Sequence, residues 1–291
     1  MKSPPECIPC SVRQAMRTAR MAGLNEELQK QAVMEAMRVL AQEDHNTSPA
    51  VIATKAIRAS EKFYPGIDPF ERVKWETTVE ALAMYEHIKP RVMEDLAGMR
   101  PVERISHTAK LAAAGNIIDF GVSSEFDLEA TLEETLSRDL AVDHSDRLYE
   151  GLASGGIFLL VSDNAGEIVF DRFLLDEAVR LGSEVYVSVK SGSILNDATY
   201  EDAVRAGIAH PIKIVETGSS SLGLILDECT PELRDLFERA AVVLSKGQAN
   251  YETLDDASRS VFFILRAKCH VLADHMGVPT GASVLMEHNP A

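Results

Sequence analysis

Apolar residues recur at spacings of three and four through Val12 to Met21, Glu26 to Glu43, Pro49 to Phe63, Pro69 to Ile88 and Glu103 to Ala114. That period predicts amphipathic helices, each burying one face. Ser48-Pro49 and Asp68-Pro69 each set a capping side chain before a proline at the first helical position, where a missing N–H leaves no helical bond unmade. Phe126 to Leu136 reads as a further acidic helix opening at Asp127. Near residue 150 the pattern changes. Gly156 to Ser162 (GIFLLVS) is a continuous apolar run, as a strand covered on both faces requires. Strand and helix periods then alternate: helix Glu167 to Leu181, strand Glu184 to Val189, helix Asp197 to Ala206, strand Ile212 to Val215, helix Pro231 to Arg239, strand Ala240 to Ser245, strand Val261 to Leu265 and a last helix from Cys269 to Met276. Strands separated by helices pair in parallel through right-handed crossovers, so the expected fold is a three-layer α/β sandwich with a mostly parallel sheet. The expected division is a helical region over 1–150 and an α/β domain over 151–291.

Composition narrows the function classes. At 291 residues and 46% hydrophobic, the chain can bury a full core. No run approaches the ~18 to 20 apolar residues of a membrane span, and the opening MKSPPECIPC lacks the apolar core of a secretory signal. The expectation is a cytoplasmic protein with no membrane partner. Asp and Glu number 45 against 29 Lys and Arg, for a net charge of −16. Nucleic acid is excluded as a partner, because counterion release needs a basic footprint. An anionic substrate would also be repelled unless a metal ion and a few lysines reversed the local field. Of the four cysteines, Cys7, Cys10, Cys229 and Cys269, only the first two form a spaced motif, which fits a reducing compartment.

In an open parallel sheet, ligands bind beyond the carboxyl ends of the strands. Those positions hold Asp163-Asn164-Ala165-Gly166-Glu167, Lys190-Ser191-Gly192 with Asn196-Asp197 further on, Glu216-Thr217-Gly218-Ser219 and Lys246-Gly247-Gln248-Ala249-Asn250. Asp163, Asn164, Glu167 and Asp197 are hard oxygen donors suited to Mg²⁺ or Mn²⁺. Lys190 and Lys246 supply compact positive charge, and Gly166, Gly192, Gly218 and Gly247 let backbone N–H groups approach an anion. Together these are the parts of phosphoryl transfer. Each also has an ordinary reading: Asp163-Asn164 and Asp197 as helix caps, Lys246-Gly247 as a turn. Their convergence on one edge favours a site. GxGxxG after a strand, a P-loop, GxSxG and HExxH are all absent.

The runs SDNAGEIVFDRFLL (Ser162 to Leu175) and SKGQANYETL (Ser245 to Leu254), with AAAGNIIDFGV (Ala112 to Val122) and DPFERVK (Asp68 to Lys74), resemble the signatures of the damage-control phosphatases. The ECIPC start resembles their mostly prokaryotic subgroup with an N-terminal Cys-x-x-Cys. The resemblance implies a helical region joined to a Rossmann-like α/β domain that carries a divalent metal (Mn, Mg, Co or Ni) on Asp163, Asn164 and Asp197. It further implies Lys246 as the phosphate-binding cation with Asn250 near it, a catalytic set of Asp163, Asn164, Asp197 and Lys246, and Asn116 and Asp119 closing the site. Glu167, Lys190 and Gly218 complete the expected substrate contacts. The implied substrates are small sugar phosphates and damaged phosphometabolites. A non-catalytic metal or phospho-ligand sensor and an S-adenosylmethionine-dependent carboxyl methyltransferase are the alternatives. The segment departs from the family at His270, where a proline is expected. Cys7 and Cys10 stay open among a metal site completed by Cys269 and His270, a redox pair, and packing.

Overall fold

The computed structural model describes residues 1–44, 46–115 and 139–289. Helices α1 (Cys7–Met21), α2 (Glu26–Leu40) and α3 (Pro49–Glu61) form a small bundle around Ala15, Ala36, Leu40, Ile52 and Ala56. Their starts are sequence-coded. Asn25 Oδ1 accepts the Leu28 N–H at 3.0 Å, and Ser48 Oγ accepts the Val51 N–H at 3.4 Å ahead of Pro49. Helix α4 (Glu71–Ala97) starts two residues after Pro69 and runs past the expected end at Ile88. It carries Pro90 inside it, because Val92 and Leu96 are buried in the same core as Tyr85 and Ile88. That burial outweighs the backbone bond that proline removes. Helix α5 (Pro101–Ala114) follows.

The remaining elements are β1 (Val142–Asp143), α6 (Ser145–Ala153), β2 (Gly156–Val161), α7 (Ile168–Arg180), β3 (Ser183–Val189), α8 (Tyr200–Arg205), β4 (Lys213–Glu216), α9 (Pro231–Arg239), β5 (Val242–Lys246), α10 (Gln248–Leu254), β6 (Val261–Arg266), α11 (His270–Met276) and β7 (Ser283–His288). They build a seven-stranded sheet in the order β1-β7-β6-β5-β2-β3-β4. The five strands read from the sequence are its parallel centre. The sequence reading lacked β1, β7, α6 and α10. Strand β7 is antiparallel to β6, with Val261 opposite His288, and β1 lies parallel to β7. SVLMEH in β7 offers little alternation, and β1 is too short to show any period.

Alternate strand residues serve opposite faces. Phe158, Leu160, Val185, Val187, Leu244 and Ile264 pack with α4, α5, α6, α7 and α8. Leu159, Val161, Val243, Phe263 and Leu265 pack with α9, α10 and α11. The result is an α/β fold with a mostly parallel sheet between two helical layers. From β2 the chain winds outward to β3 and β4, then returns to β5 on the other side of β2. The topological switch therefore lies between β2 and β5, where a crevice opens beyond the strand ends. Helix α3 docks over that edge. Ala50 and Ile57 pack on Ile194 and Leu222 from the loops after β3 and β4, and Thr54 Oγ1 accepts the Leu222 N–H at 2.9 Å.

Candidate active site

The loop after β2 carries Asp163 and Asn164, and the loop after β3 carries Asp197. Backbone bonds join the two loops: Ala198 N–H to Asp163 O at 2.8 Å and Ala165 N–H to Asn196 O at 2.9 Å. Thirty-odd residues of sequence separation are thereby closed into one rigid floor. Asn164 Nδ2 donates to Asp163 Oδ2 at 3.1 Å and to Glu167 Oε2 at 3.0 Å, so the amide bridges two carboxylates. Leu195, just before Asn196-Asp197, sits at φ 44°, a conformation costly for a side-chain-bearing residue.

This floor is charged and crowded. Burial pushes the Asp163 carboxyl up to about 8, and the negative charges of Glu167 and Asp197 push it the same way. Burial also pushes Asp197 up to about 6, against the nearby Lys190, whose Nζ lies 3.6 Å from Asp197 Oδ2. Lys190 itself is buried and donates to Gly223 O at 2.5 Å.

Lys246 is wholly buried below the floor. Its ammonium donates to Ala112 O at 2.9 Å, Glu167 Oε1 at 2.6 Å and Asp171 Oδ1 at 2.5 Å. An ammonium has only three donors, so all are used. Burial opposes the charge on Lys246, but Asp171 and Glu167 outweigh it and raise its pKa. Burial in turn pushes Asp171 up to about 7 in spite of Lys246. Asn250 is also buried and laces the strand ends, donating to Ser162 O at 3.0 Å and Lys246 O at 2.7 Å.

Above the floor lies a cavity of about 930 Å³, bounded by α1, α3, the start of α4 and the strand-end loops. Asp163, Asn164, Glu167 and Asp197 line it together, as do Cys7 and Cys10. Lys190, Lys246 and Asn250 lie beneath rather than along it. Gly218 lies elsewhere, on the surface beside Thr230, where a Cβ would come within 2.8 Å of Thr230 Cγ2. Asn116 and Asp119 fall outside the described residues; the preceding Gly115 lines the cavity, within 3.3 Å of Glu167 for an added Cβ.

Cys269 and His270 also line the cavity, so the N-terminal helix and the start of α11 border the same space. Burial, then Glu252, Cys10 and Cys269, push the Cys7 thiol up to about 11. Without a bound cation such a thiol is a poor nucleophile at neutral pH. Among the described residues no three His, Cys, Asp or Glu side chains gather closely enough to hold a metal ion. The expected oxygen set is of another kind, two carboxylates and an amide.

Three cations on the cavity wall escaped the sequence reading: Arg13 and Arg17 on α1, and Lys268 after β6. Lys268 was findable, since it follows a strand end; its charge opposes the upward shift of Asp163. The arginines were not, because nothing local says that α1 faces the sheet edge. No helix among the described residues is long and apolar enough to cross a membrane.

The chain is similar to known proteins along nearly its whole length. Residues 3–284 match the model of the damage-control phosphatase ARMT1-like domain. The chain is 34% identical to damage-control phosphatase PH1575 of Pyrococcus horikoshii, over 99% of both chains. It is 31% identical to a damage-control phosphatase of Archaeoglobus fulgidus, over 98% of both. The crystal structure of PH1575, a DUF89 family protein, superposes with a TM-score of 0.91, covering 99% of this chain and 100% of that one. With residues 3–284 matched to the family's model and the fold shared as a whole, the chain belongs to the damage-control phosphatase ARMT1-like family.

Proposed function

We propose that the protein is a metal-dependent phosphatase of small phosphorylated metabolites, with sugar phosphates and damaged phosphometabolites as the substrate class. The observation that carries this reading is the meeting of Asp163, Asn164 and Asp197 at the switch point of the sheet, on the floor of one cavity. The donor set fits a hard divalent ion such as Mn²⁺, Mg²⁺, Co²⁺ or Ni²⁺. The elevated Asp163 supports the fit: carboxylates held this close and this dry resist ionisation until a cation shares the site. Asp163, Asn164 and Asp197 would hold the ion, which supplies Lewis acidity toward phosphoryl oxygens.

The rest falls to the chain's own groups. Lys268 is exposed on the cavity wall, after β6, and can reach a phosphate held over the carboxylate floor. Lys246 acts from beneath, holding Glu167 where Asn164 bonds it. Glu167 and the Asn164 amide in turn orient Asp163. Helices α1 and α3 roof the cavity and limit water, which strengthens each charge interaction inside it.

The test is hydrolysis of p-nitrophenyl phosphate with each of the four metals, beside metal content by elemental analysis. Turnover should require added metal, and Asp163→Ala and Asp197→Ala should each lose both metal and turnover. Full activity in a chelator, or unchanged metal content in both variants, would overturn the reading.

A further inference from the structure

We propose that the cavity selects phosphomonoesters carrying a second anionic group, and that Arg13 and Arg17 read that group. This rests on the phosphatase reading and adds a substrate class to it. The chain carries a net charge of −16, and several of its other arginines pair with acids: Arg38 with Glu35, Arg104 with Glu177, Arg205 with Asp202, Arg239 with Asp235. Arg13 and Arg17, one turn apart on α1, both line the cavity, and neither has an ion pair with any described residue. Two guanidinium groups that face a cavity and pair with no described acid are open to an anionic ligand.

Their position separates them from the phosphoryl end. The Arg17 guanidinium lies 5.7 Å from the centre of the Phe70 ring, at the start of α4. Thr77, further along α4, abuts Gly166 beside Asn164 and Glu167. At the helical rise per residue, Phe70 and Thr77 are ~10 Å apart along the axis. The carboxylate floor and Arg17 thus stand at opposite ends of a span that a short phosphorylated chain can bridge. This cation–π proximity to Phe70 uses none of the Arg17 N–H donors. A planar fork of donors matches a carboxylate or a second phosphate, and the pair also offsets the repulsion that the acidic floor imposes on a polyanion.

The experiment compares kcat/KM within matched pairs: 6-phosphogluconate against glucose 6-phosphate, and fructose 1,6-bisphosphate against fructose 6-phosphate. The first pair tests a carboxylate, the second a phosphate. The wild type should favour the doubly anionic member of at least one pair by roughly 10- to 100-fold, as charge-assisted hydrogen bonds imply. In Arg13→Gln/Arg17→Gln that ratio should fall to near one, chiefly through KM. A wild-type ratio near one in both pairs, or a ratio that survives the double substitution, would overturn the proposal. If no probe is hydrolysed with any metal, the phosphatase reading fails by itself. Calorimetric binding of the same pairs then decides the arginine reading by the same ratio.

Discussion

Gly247 stands directly against the carboxylate of Asp163: a Cβ on Gly247 would lie 2.0 Å from Asp163 Oδ2. The backbone there is at φ 83°, so both conformation and space demand glycine. Gly247→Ala should push Asp163 out of register with Asp197 while the sheet stays folded, at a backbone cost of about 1 kcal/mol or more. Metal content and p-nitrophenyl phosphate turnover should fall together. A variant with wild-type metal content and turnover would show that the contact does not set the position of Asp163.

Lys246→Met should destabilise the protein by about 3 to 5 kcal/mol, because it strands two buried acids. The sign with pH follows from Asp171, whose pKa is already raised to about 7 in the fold. A carboxyl raised by folding favours the folded state below its unfolded pKa, and stability drains as pH rises through the folded value. The penalty of the variant should therefore grow from pH 5 to pH 8 in urea denaturation. A lysine engaged only by substrate would leave the unfolding curve of the free protein unmoved.

A second buried cation ties the helical layer to the Asp197 loop. Lys74 on α4 lies 2.8 Å from Asp68 Oδ2 and 3.2 Å from Asp202 Oδ2, and Asp202 Oδ2 accepts the Thr199 N–H at 3.1 Å. Lys74→Met should loosen the stretch from Asp197 to Thr199. Hydrogen exchange should quicken at the amides of Ala198 and Thr199, while those of Leu159 and Leu160 in β2 stay protected. Uniform acceleration across the sheet would mean global destabilisation instead of local release.

Glu252, buried on α10, is pushed up to about 7, chiefly by burial, with Gln248 opposing the shift through a 2.8 Å bond. Folding thus favours its protonated form, and stability is lost as pH rises from about 4.5 through 7, by on the order of 3 kcal/mol. Glu252→Gln keeps the shape and removes the titration. Its stability gain over the wild type should be small at pH 5 and largest at pH 8; a gain independent of pH would point to packing.

The sequence by itself determined the elements whose signal is local. Buried parallel strands are continuous apolar runs, so GIFLLVS and VFFIL declare themselves, and helices with capping residues such as Ser48 do the same. The strand-end rule then pointed to Asp163, Asn164, Glu167 and Asp197, which line one cavity in the fold, since the rule needs only a strand and the residues after it. Tertiary structure decided what depends on distant partners. Whether a strand-end lysine faces solvent or acids is not a local property: Lys246 reaches Ala112 across 134 positions and Glu167 across 79. Gly218 obeys the same local rule as Gly247, yet its loop turns toward Thr230 and not the cavity. Arg13 and Arg17 read as solvated helix positions until the docking of α3 on Leu222 and Ile194 lays α1 beside the sheet edge. Periodicity reports which face of an element is apolar; it carries no information on which other element covers that face, because burial is non-directional and the partner is chosen by the whole fold.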